Sequence, residues 1–135
     1  MHIIVCLDDH DGMLFNGRRQ SQDQILRREI LQLTQTSQLW MNCYSAKQFE
    51  ELPSWGTVDN DFLLAAPEDA YCFVENENVL PHLKRINQVV IYRWNRVYPA
   101  DQTFPAKQIL AEKKLLSVRE FAGNSHDLIT EEIYA

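Results

Sequence analysis

Asp23 is the residue whose type and position are most suited to chemistry. A predicted helix begins just before it, and at 100° per residue Asp23 shares a face with Leu26, Ile30 and Leu33. That face should pack on a sheet, where a carboxylate is costly to bury unless it is hydrogen-bonded. Asp23 is therefore a candidate site residue. The alternative is an acid of the first helical turn, where the helix dipole favours negative charge.

Charged residues cluster around this helix. Asp8, Asp9 and Asp11 could bind a divalent cation, but they lack the longer ligand set ending in Glu of a calcium-binding loop, which favours a solvated acidic turn. Four arginines could hold an anion or form a solvated face paired with neighbouring acids. They are Arg18, Arg19, Arg27 and Arg28.

Cysteine and histidine show no metal-binding pattern, and we predict no metal site. Cys6, Cys43 and Cys72 lie in apolar runs predicted as strands and form no C-x-x-C pair, so they are predicted to be buried and reduced. The four histidines are scattered, and we interpret them as structural. They are His2, His10, His82 and His126.

Composition limits the class of protein. The 135 residues carry a formal net charge of -6, with 45% hydrophobic and 24% charged residues. These values predict a single globular domain over residues 1–135 and disfavour binding to nucleic acid or to an anionic membrane. The sequence has no signal-peptide pattern and no apolar run of membrane-spanning length, so we predict a cytoplasmic protein.

The pattern of elements predicts an α/β fold. Strands and helices alternate first, and an alternating hairpin around Gly123-Asn124 follows. This order favours a mostly parallel central sheet with an antiparallel C-terminal hairpin, flanked by helices. Ser21 and Ser45 are predicted N-caps of two helices. The predicted strands are 2–7, 39–43, 71–74, 89–94, 115–121 and 127–134, and the predicted helices are 21–35, 46–52, 59–66 and 79–86.

Glycine is scarce at the turns that could bind phosphate. The chain has four glycines and no G-x-G-x-x-G or P-loop motif. The turn after strand 71–74 reads Glu75-Asn76-Glu77-Asn78, and its two carboxylates would repel a phosphate.

The order and spacing of these elements resemble the dihydrofolate reductase family over nearly the whole chain. The resemblance rests on a first strand running into Asp8, a loop with Gly12-Met13 and a helix opened near Asp23. A second strand holding Met41, a helix capped by Ser45, the later strands and the terminal hairpin continue it. The segment 101–105 is similar to that family's Asp-Thr-x-Phe-Pro signature. The resemblance implies the family's three-layer fold.

The resemblance also implies site residues. Asp23 falls where the family keeps the acid that bonds the pterin ring and supports protonation during hydride transfer, and burial would raise its pKa for that task. Ile4, Leu26 and Phe73 fall where the family lines the pterin pocket.

Departures from the family concentrate on the NADPH side. The Gly-Arg-x-Thr cofactor motif matches 42–45, where only the hydroxyl of Ser45 survives, and the paired glycines match Glu75-Asn76. The Pro-Trp pair matches Gly17-Arg18. Losing two or three charge-assisted bonds should weaken NADPH binding by orders of magnitude. Arg18 or Arg19 could replace the missing phosphate-binding arginine.

Three hypotheses remain open from the sequence. The first is a protein of this fold that does not reduce folate and binds a small planar ligand, pterin- or flavin-like, through Asp23. The second is an NADPH-dependent reductase with a rebuilt cofactor site. The third is a non-enzymatic interaction or regulatory module.

Overall fold

The computed structural model describes residues 1–135 and contains ten strands and four short or medium helices. The strands are β1 (His2–Leu7), β2 (Gly12–Phe15), β3 (Arg18–Arg19), β4 (Leu39–Met41), β5 (Gly56–Val58), β6 (Tyr71–Phe73), β7 (Gln88–Arg93), β8 (Gln102–Thr103), β9 (Leu115–Phe121) and β10 (Ile129–Tyr134). The helices are α1 (Gln24–Thr34), α2 (Cys43–Ala46), α3 (Phe62–Ala65) and α4 (Ala106–Ile109), with a 3-10 helix at Leu80–Arg85.

The central sheet has seven strands in the order β5-β4-β6-β1-β7-β10-β9. The first five run parallel, and β10 and β9 form the antiparallel C-terminal hairpin. β1 lies in the middle between β6 and β7, because its continuous apolar run can be buried on both faces. The predicted fold class is confirmed.

Apolar side chains cover both faces of this sheet. On one face Ile3, Val5 and Ile91 belong to a cluster that includes α3 and the 3-10 helix region. On the other face Leu26 and Ile30 of α1 pack against the sheet in a second cluster. Helical segments therefore lie on both sides of the sheet, which makes three layers.

A smaller sheet forms in the segment that the sequence predicts as a loop. β2 pairs with β3 and β8 in the order β3-β2-β8. The connection between β2 and β3 is Asn16-Gly17, with φ of 52° and 70°, and such two-residue turns with positive φ join antiparallel strands. Met13 and Leu14 of β2 are buried, which fixes this hairpin to the domain.

The helix starts differ from their predicted positions. Asp23, not Ser21, is the N-cap of α1, because its side chain accepts from the N–H groups at the helix start. Asn42, not Ser45, caps α2, which spans only 43–46. The predicted helix 79–86 is a 3-10 helix. None of the helices combines the length and the apolar character that crossing a membrane requires.

The three cysteines are free, and their environments differ. Cys72 is buried and Cys6 is half-buried, but Cys43 is exposed. The predicted burial of Cys43 is wrong because β4 ends at Met41 and Cys43 begins α2.

Candidate functional site

Asp23 lies at the N-terminus of α1, beneath the loop that joins β9 to β10. Its carboxylate is buried and accepts six hydrogen bonds. Oδ2 accepts from the N–H and the hydroxyl of Ser125 at 2.9 and 3.1 Å and from Nδ1 of His126 at 3.1 Å. Oδ1 accepts from the N–H groups of Ile25, Leu26 and Asn124 at 2.9, 3.2 and 3.1 Å. Both oxygens are thus occupied by groups of the chain itself.

The hydrogen bonds also decide the charge of Asp23. Burial alone would raise the pKa of this carboxyl, but the N–H groups of Ser125 and Asn124 and the ring of His126 hold it far below its ordinary value. This lowered pKa is the opposite of the raised pKa that the sequence analysis expected for a buried Asp23. Asp23 therefore stays ionised at neutral pH and acts as an acceptor.

His126 continues the hydrogen bonds from Asp23 toward the surface. Its ring is buried and stacked on Trp94, with centroids 4.5 Å apart. Because a carboxylate only accepts, Nδ1 carries the proton that points to Asp23. In the neutral tautomer of this kind, Nε2 is an acceptor. Nε2 lies 2.9 Å from the hydroxyl of Tyr98 and 3.2 Å from Oγ of Ser21. His126 thus connects the buried carboxylate to Tyr98.

Tyr98 forms part of the wall of a groove with a cavity volume of about 540 Å³. The groove runs between the β2–β3 hairpin and the segment Tyr98-Pro99. Its lining combines aromatic, cationic and amide side chains: Phe15, Asn16, Arg18, Arg19, Gln20 and Tyr98. The ring of Phe15 is 43% exposed although it is large and apolar. In Gln20 the amide nitrogen donates to Asp8, whereas the buried Oε1 has no hydrogen-bond partner.

The two arginines of β3 differ in what they bind. Arg19 donates to both carboxylate oxygens of Glu75 at 2.9 and 3.1 Å and lies over the ring of Tyr44. Burial alone would lower the pKa of Arg19, but the bonds to Glu75 raise it, so Arg19 remains charged. Arg18 is exposed and makes no ion pair. Arg18 is the guanidinium available to an anion in the groove.

The predicted pterin-pocket residues do not line the groove beside Tyr98. Ile4, Leu26 and Phe73 are buried in the cluster beneath α1, which also contains Trp94. The cavity that Trp94 shares with Met13 measures about 10 Å³, which is near the lower limit for a single water molecule. Side chains therefore fill the space between Met13 and Trp94.

Ser45, the predicted cofactor-binding hydroxyl, is fully buried in α2. Its N–H donates to Oδ1 of Asn42 at 3.0 Å, and its Oγ has no hydrogen-bond partner. Asn42 in turn donates to Asn76 in the turn after β6 at 2.8 Å. The residues that match the cofactor motif therefore hold α2 against that turn.

Asp8 is a further residue whose role the sequence did not show. The prediction of a solvated acidic turn is wrong for Asp8, which is buried, and holds for exposed Asp9. Burial alone would raise the pKa of Asp8, but N–H groups of Gly12, His10 and Tyr98 lower it. Asp8 thereby ties the hairpin to the Tyr98 segment and fixes the two walls of the groove. No three His, Cys, Asp or Glu side chains are grouped to hold a metal ion.

Comparison with solved structures finds many similar folds. A dihydrofolate reductase from Enterococcus faecalis, complexed with NADP(H) and RAB-propyl, superposes with a TM-score of 0.65. The match covers 98% of this chain and 94% of that chain. The protein has a dihydrofolate-reductase-like fold. At 9% sequence identity the likeness is one of fold alone. No protein-family model matches the sequence, and neither does any curated protein.

The dihydrofolate-reductase-like fold confirms the resemblance drawn from the order of the elements. The roles implied for Asp23, Ile4, Leu26, Phe73, Ser45 and Arg18 remain predictions. His126 and Tyr98 could not be linked to Asp23 from the sequence, because they lie 103 and 75 residues further along the chain and only the folded loops bring them together.

Proposed function

We propose that this dihydrofolate-reductase-like protein binds a small planar ligand with a negative charge in the groove beside Tyr98, and that it does not reduce dihydrofolate. The observation that carries the proposal is a contrast of volumes. The groove offers about 540 Å³, within the range of small-molecule sites, whereas the cavity beside Met13 and Trp94 offers about 10 Å³.

The lining of the groove supports a ligand of this chemistry. Phe15 and Tyr98 present aromatic rings to a planar group. Arg18 is a guanidinium without a carboxylate partner, suited to a phosphate or carboxylate.

Asp23 contributes to this site indirectly. All its acceptor positions are used within the protein, so it orients His126, and His126 in turn fixes the hydroxyl of Tyr98. A ligand group that bonds to Tyr98 would be connected to Asp23 through two hydrogen bonds. A planar ligand in the groove would therefore lie near Asp23, but its direct contact would be with Tyr98.

Two other candidate functions each have one supporting observation. A reductase with a rebuilt NADPH site is supported by Arg18, which is free to bind a phosphate. An interaction module without a small ligand is supported by the buried side chains of Met13 and Trp94, which fill the interior pocket.

Calorimetric titration with flavin mononucleotide, which carries a planar ring and a phosphate, tests the proposal. We expect saturable binding that the substitution Arg18→Gln weakens by roughly tenfold or more, the usual effect of losing one charge-assisted bond. Arg28→Gln is the matched control, because Arg28 is exposed on α1 and lies outside the groove. Its affinity should equal that of the native chain.

Titration with NADPH and with folate completes the experiment. Saturable NADPH binding that depends on Arg18 would favour the reductase. If neither flavin mononucleotide nor NADPH nor folate binds at millimolar concentration, the groove is not a site for planar anions and the interaction module is favoured. Equal losses in Arg18→Gln and Arg28→Gln would show that only net charge matters, and would contradict a site at the groove.

A further inference from the structure

The tip of the β2–β3 hairpin is an asparagine followed by a glycine, Asn16-Gly17, and both residues are exposed. Asn16 is the only asparagine of the chain that precedes a glycine. An asparagine side chain can react with the backbone nitrogen of the next residue, and a Cβ on that residue hinders the approach. Glycine has no Cβ, so this hindrance is absent at Gly17.

The two groups that would react at this tip are not held by hydrogen bonds. The N–H of Asn16 donates to Oδ2 of Asp101 at 3.0 Å, but the side-chain amide of Asn16 makes no hydrogen bond. The N–H of Gly17 likewise donates to no group of the protein. The space beside Gly17 is open, because a Cβ placed there would have no atom within 4 Å. The side chain of Asn16 can therefore turn toward the nitrogen of Gly17 without breaking a hydrogen bond.

The pair Asn124-Ser125 shows the opposite situation. Ser125 is small, but Oδ1 of Asn124 accepts from the N–H of Gln24 at 2.7 Å. The N–H of Ser125 donates to Oδ2 of Asp23 at 2.9 Å. Both groups that would have to react at Asn124 are thus occupied in the folded chain. The fold protects Asn124 and leaves Asn16 open.

We propose that Asn16 is a deamidation site of the folded protein and that its conversion weakens the binding of anions in the groove. The backbone nitrogen of Gly17 gives up its proton and bonds to Cγ of Asn16. The side-chain NH₂ group takes up a proton and leaves as ammonia. Water then opens the resulting cyclic imide at one of its two carbonyls, which gives aspartate or isoaspartate. Nothing is oxidised or reduced, and water is the only co-reactant.

The conversion changes the groove because Asn16 and Arg18 both line it. A neutral amide becomes a carboxylate two residues from the guanidinium of Arg18, and its charge opposes a negatively charged ligand. In isoaspartate the main chain also gains one atom, which the two-residue turn between the paired Phe15 and Arg18 does not accommodate. The effect on anion binding rests on the proposed function of the groove, whereas the conversion itself does not.

Peptide mass spectrometry of the full chain, incubated folded at about pH 8.5 and 37 °C, tests the conversion. The peptide with Asn16 should gain about 1 Da as NH₂ is replaced by OH, and the peptide with Asn124 should keep its mass. Digestion at acidic pH limits conversion during handling. In guanidinium the peptide with Asn124 should change as well. An Asn16 that stays intact in the folded chain and converts only in guanidinium overturns the proposal, and so does equal conversion of Asn16 and Asn124 in the folded chain.

Calorimetric titration of Asn16→Asp with flavin mononucleotide tests the effect on the groove. We expect the affinity to fall by roughly threefold or more, because the new carboxylate lies beside Arg18. Asn87→Asp is the matched control, since it adds the same charge at an exposed asparagine outside the groove, and it should keep the native affinity. Equal affinities of Asn16→Asp and the native chain overturn the effect on anions. A native chain that binds no flavin mononucleotide overturns that effect together with the proposed function, while the mass of the Asn16 peptide still decides the conversion.

Discussion

The carboxylate of Asp23 joins two segments that are 101 residues apart in the chain. On one side it accepts from the first N–H groups of α1, which have no partner inside the helix. On the other it accepts from successive N–H groups of the β9–β10 loop at Asn124 and Ser125. One ionised side chain thus satisfies the backbone of both segments, and hydrogen bonds to a charged acceptor are stronger than neutral ones.

Replacing this carboxylate by an amide should destabilise the protein and change its response to acid. In Asp23→Asn one oxygen becomes an NH₂ group that faces N–H donors, so we expect a loss of about 2–4 kcal/mol in the free energy of unfolding at pH 7. The folded-state pKa of Asp23 is lowered from 3.8, so its contribution is complete above about pH 5 and is lost as pH falls from there. Urea unfolding between pH 7 and pH 3 measures both effects.

The exposed Asp9 gives the control for this experiment. Asp9→Asn should stay within about 0.5 kcal/mol of the native chain at every pH. Asp23→Asn should lose stability less steeply in acid, but some loss should remain because the pKa of Asp8 is lowered as well. An Asp23→Asn variant as stable as the native chain would contradict the role of the six hydrogen bonds.

At the scale of elements, the β9–β10 loop can approach α1 closely because position 123 is a glycine. A Cβ on Gly123 would overlap Oδ2 of Asp23 and would lie 2.9 Å from the carbonyl oxygen of His126. The close approach of this loop to α1 is therefore open only to glycine at position 123.

The substitution Gly123→Ala should separate the loop from Asp23. We expect a loss of about 1–3 kcal/mol in unfolding free energy, because neither the buried carboxylate nor the backbone can move without breaking hydrogen bonds. Faster amide hydrogen exchange at Asn124 and Ser125 should accompany it. Ala122→Ser, an exposed change next to it, is the control and should have little effect. Unchanged exchange in Gly123→Ala would show that the loop is not held by this contact.

Long strands with a regular pattern were predicted more accurately than short strands. The bounds of β1 and β9 are those predicted, because an apolar run and an alternating run of six or seven residues leave few other interpretations. Strands of two to four residues such as β2, β3 and β8 carry no periodic signal and were missed. At the start of α1, Ser21 and Asp23 are both good caps, and the tertiary contact of the loop decides for Asp23.

The site was predictable only in part for the same physical reason. Asp23 could be selected because helical periodicity places it on a buried face. Its partners His126 and Ser125 lie on a loop, where no periodicity reports which group is nearby. The family resemblance predicted a pterin pocket at Ile4, Leu26 and Phe73, but these residues lie in a buried cluster whose packing is set by the tertiary fold and leaves no periodic signal in the sequence.

For the whole molecule, the reactivity of the three free thiols measures whether the chain is folded. Burial raises the pKa of Cys72 to about 12, and burial, with a further contribution from Glu75, raises that of Cys6. Only Cys43 is exposed. With an aromatic disulfide reagent at pH 8, one thiol per chain should therefore react rapidly in the native protein, since the thiolate is the reactive form.

All three thiols should react once the chain is unfolded in guanidinium. Cys43→Ser is the control and should remove the rapid phase while leaving two slow thiols. Rapid reaction of either remaining thiol in the folded Cys43→Ser variant would show that Cys6 or Cys72 is more accessible to the reagent than its burial implies.

The central position of β1 has a consequence for when the protein can fold. Both neighbours of β1 come from later in the chain, β6 beginning at Tyr71 and β7 at Gln88. While a ribosome is still making the first half, β1 emerges with nothing to pair with, and its apolar residues must wait for seconds at ordinary rates of synthesis. Pairings over such sequence distances also slow the folding step itself. For that period the apolar strand β1 of the nascent chain is exposed to aggregation unless a chaperone binds it.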